Sequence, residues 1–262
     1  MDKKKIISLK NISKTFEIKG GGEKTIRERV FRTFSGEVSR SKSISALDDI
    51  NFDIYEGESF GIIGRNGSGK STLLNIIMET YLPDKGGIIY TNGKLIRLDL
   101  GMGVDPNLSA RDNIYVNGSV LGLTFKKIGA IFEEIINFAN LEGFDNTPVK
   151  FFSKGMRQRL LFSIAIHAEA DIFVLDEFFG GTGDLDFRKK SDHAFKNKIL
   201  NRHTAVIVSH SLKIIENYCS KVLWLENGKC MLIGKPQEVT AKYKQFVYNR
   251  KIEKQNAAKL GL

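Results

Sequence analysis

The stretch GRNGSGKST, residues 64–72, constrains the fold of this chain more than any other feature of its sequence. It fits the pattern G-x-x-x-x-G-K-[S/T], follows an apolar strand-like run (SFGIIG) and precedes a helix-like run (LLNIIMETYL). Glycines let backbone N–H groups turn toward phosphate oxygens, and the helix N-terminus adds a partial positive charge. The stretch therefore predicts a strand–loop–helix unit, here called the phosphate loop, that binds a nucleoside triphosphate. The residues expected to contact the nucleotide are Gly64, Arg65, Asn66, Gly67, Ser68, Gly69, Lys70, Ser71 and Thr72.

Two side chains of the phosphate loop carry specific chemistry. Lys70 supplies a positive charge for the β- and γ-phosphates, and the Ser71 hydroxyl can coordinate Mg²⁺. The alternative interpretation is a chance glycine-rich turn, which the flanking strand and helix argue against. A bound triphosphate does not by itself say which reaction follows.

The second motif is FVLDEFF, in which an apolar strand over residues 172–175 ends at Asp176. A carboxylate at this position can hold the Mg²⁺ shell, and Glu177 is a candidate to orient or deprotonate an attacking water. The alternative is an Asp-Glu pair that caps the next element. Together with the phosphate loop, the catalytic interpretation is favoured.

The third motif is AVIVSH, an apolar strand that ends at His210. An imidazole near a γ-phosphate can donate a hydrogen bond to it and so respond to its presence. A single histidine is usually structural, but its place at a strand end after the other two motifs favours a functional role.

The order phosphate loop, SKGM, DE and SH resembles the ATP-binding-cassette (ABC) ATPases. SKGMR, residues 153–157, stands where that family carries its signature, usually written LSGGQ, at the start of a helix. In the family, the signature of one subunit faces the γ-phosphate held by the other. The resemblance therefore implies that Ser153 and Gly155 contact ATP and that the chain forms a homodimer. Taken alone, SKGM would be an ordinary helix capped by a serine.

The layout along the chain is α/β with a helical insertion. The resemblance implies a P-loop NTPase of the ABC ATPase type, with a mixed sheet core and a helical subdomain. We expect the ATPase domain to span residues 1–235, with the helical subdomain at about 102–168 and a basic insertion at about 19–45. A short basic helix is expected over residues 236–262, and VLWLENGKCMLIG is expected to form a hairpin that turns at Asn227-Gly228.

Further matches resemble one branch, the ATP-binding subunits of bacterial polysaccharide exporters for O-antigen, capsule and wall teichoic acid. They are SHSLKIIENYCSKVLWLENGK, SARDNI, DLDFRKK and the inserted basic segment. Phe16 falls where the family carries an aromatic that stacks on adenine; the alternative is a core phenylalanine. Asp184 matches the carboxylate of the loop after the DE motif, with Asp186 as the alternative.

The sequence also departs from the family pattern at two places. Lys154 and Met156 replace the usual Gly and Gln of the signature. The segment LDLGMGVDPNLS contains no Gln, although most cassette ATPases carry one there that contacts metal and water. Any coupling through that loop would then use the backbone of residues 100–103.

The positive charge of the chain is concentrated at its ends. Net charge is +10, and residues 1–45 hold twelve Lys/Arg against five Asp/Glu. Such ends suit nucleic acid, an anionic membrane or an acidic partner, or are simply solvated. A moderately amphipathic basic helix at 23–34, rich in arginine, is expected near the anionic inner leaflet or the phosphate groups of a glycolipid. Two cysteines imply no disulfide framework, and no apolar run approaches the ~20 residues of a membrane span.

The resemblance implies an ATP-hydrolysing subunit of an exporter for a lipid-linked polysaccharide, with ATP and Mg²⁺ as cofactors. Two copies would dock, at the cytoplasmic face of the cell membrane, under two copies of a separate polytopic permease that contacts the glycan. Residues 236–262 are too few for a carbohydrate-binding domain, and no nucleic acid is expected. The alternatives are an exporter of a drug or simple lipid, or a non-transport ABC protein that acts on nucleic acid.

Overall fold

The computed structural model describes residues 4–18, 42–98, 103–176 and 185–259. The predicted helix at 23–34 and the predicted site residues Glu177 and Asp184 lie outside these ranges. Within them the strands are β1 (Lys5–Ile18), β2 (Lys42–Tyr55), β3 (Ser59–Ile63), β4 (Ile88–Thr91), β5 (Leu95–Leu98), β6 (Ile172–Asp176), β7 (Thr204–Val208), β8 (Lys221–Glu226) and β9 (Lys229–Gly234). The α-helices are α1 (Lys70–Ile77), α2 (Ala110–Val120), α3 (Phe125–Ala139), α4 (Lys154–Ala165), α5 (Leu185–Phe195), α6 (Leu212–Tyr218) and α7 (Pro236–Lys259).

The larger sheet has the strand order β5-β6-β7-β3-β8-β9. Its strands pair in parallel except for β9, which runs antiparallel to β8, so the sheet is mixed as predicted. Strands β3 and β7 are buried at every position, which explains why they are continuous apolar runs. Because β3, β7 and β6 are parallel neighbours, the segments that follow them all leave the same edge of the sheet.

The smaller sheet is antiparallel, with the order β2-β1-β4. Helix α1 packs between the two sheets, where Leu73, Leu74 and Ile77 join a core built from both. A second core on the opposite face of the larger sheet includes Phe173 and Trp224. Helix α1, which follows the phosphate loop, is therefore held on both sides.

Helices α2, α3 and α4 share a core of their own, which includes Ile114, Phe132 and Leu160. Helix α2 begins with a capping box, since the Ser109 side chain accepts from the Asp112 N–H while the Asp112 carboxylate accepts from the Ser109 N–H. These helices fall within the range 102–168 predicted for a helical subdomain. The domain boundaries themselves remain predictions.

The hairpin and the terminal helix predicted from the sequence are both present, as β8–β9 and α7. Asn227 and Gly228 form the turn, with φ angles of 49° and 77°. Strands β4 and β5 were missed by the sequence analysis because each is only four residues long and mostly half-buried or exposed. Over the described ranges, no helix combines the length and the apolar character that crossing a membrane requires.

Candidate functional site

The segments that leave the common edge of the larger sheet surround a cavity of about 450 Å³. The phosphate loop, the end of β6 and the end of β7 all contribute to it, so three motifs that are far apart in sequence meet here. Its lining residues are Ile44, Ser45, Ala46, Asn66, Gly67, Gly69, Lys70, Ser71, Thr72, Asp176, Val208 and His210. The contribution of residues 44–46, at β2, was not anticipated from the sequence.

The phosphate loop has the geometry that its glycines allow. Gly69 is the N-cap of α1, and its φ of 105° is a conformation that other residues rarely adopt. A Cβ at this position would also lie only 2.5 Å from the Ala46 carbonyl oxygen. Backbone conformation and lack of space therefore both exclude a side chain here. Lys70 begins α1 and is only 9% exposed. Its ammonium donates to the carbonyl oxygens of Gly64 at 2.7 Å and of Arg65 at 3.0 Å. The backbone of the loop thus holds this cation at the cavity.

Asp176 lies at the carboxyl end of β6 and pairs with a cation that the sequence analysis missed. The Arg97 guanidinium, on the neighbouring strand β5, donates through Nη2 to Asp176 Oδ2 at 2.7 Å. The only sequence signal for this pair is a charged residue inside the otherwise apolar strand LIRL. Sequence reasoning could not pair the two because β5 and β6 are distant along the chain and adjacent only in the sheet.

The donor atoms around the cavity fit Mg²⁺. The Ser71 hydroxyl and the Asp176 carboxylate line it together, and hard oxygen ligands of this kind, with the remaining positions taken by water and phosphate, are those that Mg²⁺ prefers. His210 is exposed and lines the same cavity, two residues after the end of β7. Its role toward a γ-phosphate stays a prediction.

Several predicted site residues do not line the cavity. Phe16 is half-buried on β1, with its ring edge-to-face against Tyr81 at 5.6 Å, and its cross-strand partner Ile44 lines the cavity instead. Ser153 and Gly155 lie at the start of α4, where the Ser153 Oγ accepts from the Met156 N–H at 3.1 Å. In one chain they form only the capped helix start that SKGM predicts on its own.

Three residues of the phosphate loop are also absent from the cavity lining: Gly64, Arg65 and Ser68. Arg65 instead faces Glu226 at the end of β8, with Nε 2.9 Å from Oε1. Ser68 is buried. One side of the phosphate loop therefore lines the cavity, and the opposite side packs against the rest of the protein.

Comparison with known proteins agrees with this geometry. Residues 47–180 match the family model described as ABC transporter. The O-antigen export system ATP-binding protein RfbB of Myxococcus xanthus is 40% identical over 92% of this chain, which spans 56% of that protein. The protein of the same name from Klebsiella pneumoniae is 33% identical, again over 92% of this chain, and 98% of it is covered.

A further relative is the teichoic acids export ATP-binding protein TagH of Listeria monocytogenes, which is 33% identical over 92% of this chain and 70% of its own length. Among solved structures, a dimeric ATP-binding cassette in a post-hydrolysis state with ADP and phosphate has a TM-score of 0.65 at 23% identity. That match covers 88% of this chain and 99% of the other. The chain belongs to the ABC transporter family.

Proposed function

We propose that this chain hydrolyses ATP to drive the export of a lipid-linked polysaccharide through a separate membrane subunit. The observation that carries the proposal is that the phosphate loop, Asp176 and His210 meet at the same cavity. Its relatives named for O-antigen and teichoic acid export, which match 92% of the chain, support the substrate class.

Each residue of the cavity has a role that follows from its chemistry. Lys70 holds the β- and γ-phosphates by charge, while the backbone N–H groups of the loop donate to phosphate oxygens. Ser71 and Asp176 would hold Mg²⁺, which when bound supplies charge neutralisation on the triphosphate. Glu177, directly after β6, orients the attacking water or takes its proton, and His210 donates to the γ-phosphate.

A homodimer would complete the site. Ser153 and the backbone N–H groups at the start of α4 form an anion-binding helix terminus that does not line the cavity of its own chain. A second copy, turned head to tail, would bring this terminus against the γ-phosphate in the first. Two ATP molecules would then be enclosed between two chains, and hydrolysis would let them separate.

The partner of such a dimer would be a pair of polytopic permease subunits, with the ATPases at the cytoplasmic face of the membrane. The permease would contact the glycan and its lipid. The ATPase would supply the closing and opening of the dimer, and no nucleic acid would take part.

The proposal can be tested on the complex purified from membranes with its permease. Lipids extracted from it should contain a polyisoprenoid-linked or phospholipid-linked glycan, and adding that glycolipid to the reconstituted complex should raise the rate of ATP hydrolysis. The Lys70→Ala complex serves as the control without turnover. Stimulation by a simple phospholipid or a drug, with no response to the glycolipid, would contradict the proposed substrate class.

A further inference from the structure

A buried carboxylate lies against the phosphate loop. Glu226, the last residue of β8, is 4% exposed. Its Oε1 lies 2.9 Å from Arg65 Nε, but the N–H does not point at the oxygen, so the contact is an ion pair without a hydrogen bond. Within the described part of the chain, Oε2 is buried and accepts no hydrogen bond. A buried charge of this kind depends on cations beside it, because it has left water.

The turn that follows Glu226 also contacts the phosphate loop through the backbone. The Gly228 N–H donates to the Ser68 carbonyl oxygen at 2.9 Å, and the Asp48 N–H donates to the Gly228 carbonyl oxygen at 2.9 Å. A Cβ on Gly228, whose φ is 77°, would lie 2.8 Å from the Ala46 carbonyl oxygen. The loop residues that this turn contacts are the ones that do not line the cavity. The turn is therefore a support for the loop and leaves its phosphate side open.

The same carboxylate connects the phosphate loop to the terminal helix α7. Arg250 Nη1 lies 3.7 Å from Glu226 Oε1. Two residues earlier on β8, Trp224 packs edge-to-face against Tyr243 at 5.6 Å and Phe246 at 5.0 Å, both on α7. Burial, with a smaller effect of Glu226, raises the pKa of Tyr243. One carboxylate thus balances a cation from the loop and a cation from the basic helix.

We propose that Glu226 is a positioning residue for nucleotide binding, which holds the phosphate loop through Arg65, and that α7 adjusts this hold through Arg250. The inference rests on the proposed function, since the bound ligand is ATP. A loop already fixed in its binding conformation loses less freedom when the phosphates arrive, so binding is tighter. Without the carboxylate, Arg65 is free to reorient and the loop must be ordered by the nucleotide.

The test is the affinity for Mg-ATP of the Glu226→Gln variant, in which the side chain keeps its shape and loses its charge. We expect Kd to rise about three- to tenfold, while the turnover rate at saturating ATP changes by less than about twofold. Glu216→Gln is the matched control. Its carboxylate also holds α7, accepting from Thr240 Oγ1 at 2.6 Å and from Lys244 at 3.0 Å, but it does not contact the loop. Its Kd should equal that of the wild type.

A double-mutant cycle tests whether Glu226 acts through Arg65. If it does, Arg65→Met should weaken ATP binding, and adding Glu226→Gln to that variant should change Kd by less than about twofold. Arg250→Met should also raise Kd, by less than Glu226→Gln does. Lys251→Met removes the same charge at the next position, which is exposed, and should leave Kd unchanged. If Glu226→Gln does not fold, the comparison of Arg250→Met with Lys251→Met still tests the inference.

Folding of each variant can be followed by the emission of Trp224, the single tryptophan of the chain, which reports contact with α7. Equal Kd values for folded Glu226→Gln and wild type would overturn the inference alone. So would equal weakening by Glu216→Gln, because Glu226 would then act only by holding α7. A wild-type chain that binds no ATP would contradict the proposed function as well.

Discussion

At the scale of single residues, Lys70 provides a positive charge that lines the cavity. Its ammonium is almost buried and is oriented by two carbonyl oxygens of its own loop. Those two bonds hold the ammonium in place beside the cavity that the residue lines. A cation held in this way loses little side-chain freedom when the nucleotide binds.

We therefore expect Lys70→Ala to weaken ATP binding by about 2–4 kcal/mol, because one phosphate partner is removed from a largely buried site. The chain should stay folded, since the rest of α1 packs between the two sheets. Calorimetric titration with Mg-ATP measures the change. Lys235→Ala, at an exposed position outside the cavity, is the control, and an unchanged affinity in Lys70→Ala would exclude this role.

The pair Arg97–Asp176 makes a prediction about stability. Both side chains are mostly shielded, 27% and 19% exposed, so the carboxylate depends on its cation more than a surface carboxylate would. Arg97→Met should lower the free energy of unfolding by about 1–2 kcal/mol, measured by urea unfolding without nucleotide or magnesium. Adding Asp176→Asn to Arg97→Met should cost less than Asp176→Asn alone. Additive losses would show that the two side chains do not interact.

At the scale of elements, two lysines connect helix α3 to helix α5 and to the turn that follows it. Lys190, on α5, donates to the carbonyl oxygens of Asn137 and Phe138 at the end of α3, at 3.4 and 3.2 Å. Lys198, in the π-helical turn after α5, donates to Glu134 Oε1 on α3 at 2.8 Å. Helix α5 and the turn after it thus contact α3, which shares a core with α4, the helix that begins at the signature segment.

Glu134 makes this contact dependent on pH. The hydrogen bond that its carboxylate accepts from Lys198, together with the contact with His167, lowers the pKa of this carboxyl from the usual 4.5 to about 2. Because the folded pKa lies below the unfolded one, the stabilisation is present above pH 4.5 and disappears as the pH falls toward 2.

The wild type should therefore be more stable than Glu134→Gln at pH 7, and this difference should shrink steadily below pH 4.5. Urea unfolding of both proteins across that range measures it. Glu133→Gln, the exposed neighbour on the same helix, should show little difference at either end. A gap between wild type and Glu134→Gln that does not change with pH would contradict the assignment.

At the scale of the whole molecule, the cavity and the start of α4 are the two halves of the proposed ATP site. Lys70 and Asp176 line the cavity, and Ser153 caps the N-terminus of α4. A single chain keeps them apart. The dimer is the arrangement in which each can meet the other across a nucleotide.

Glu177→Gln should keep ATP bound and stop its hydrolysis, so that Mg-ATP produces a lasting dimer. Light scattering after gel filtration should then show twice the mass of the nucleotide-free chain. In the combined variant with Ser153→Asp, the new carboxylate still caps α4 but repels the γ-phosphate, and the dimer should be lost. A Glu177→Gln chain that stays monomeric with Mg-ATP, even beside its permease, would contradict the proposed assembly.

The sequence alone determined the elements that depend on neighbouring residues. The phosphate loop, the buried strands β3, β6 and β7, the hairpin turn at Asn227-Gly228 and the capped start of α4 are all local patterns, because turn angles, caps and apolar runs are set within a few residues. The order of the motifs also identified the family. Strands β4 and β5 were not predicted, because a four-residue run that is mostly half-buried or exposed shows little hydrophobic periodicity.

Only the tertiary structure decided which distant residues meet. Arg97 faces Asp176 because β5 lies beside β6 in the sheet, and Glu226 faces Arg65 because β8 lies beside β3. It also placed Ile44, and not Phe16, on the cavity wall. Strand order is settled by how whole elements bury their apolar faces together. No local stretch of sequence therefore determines the strand order. The charge pairs that depend on this order can be identified only in the folded structure.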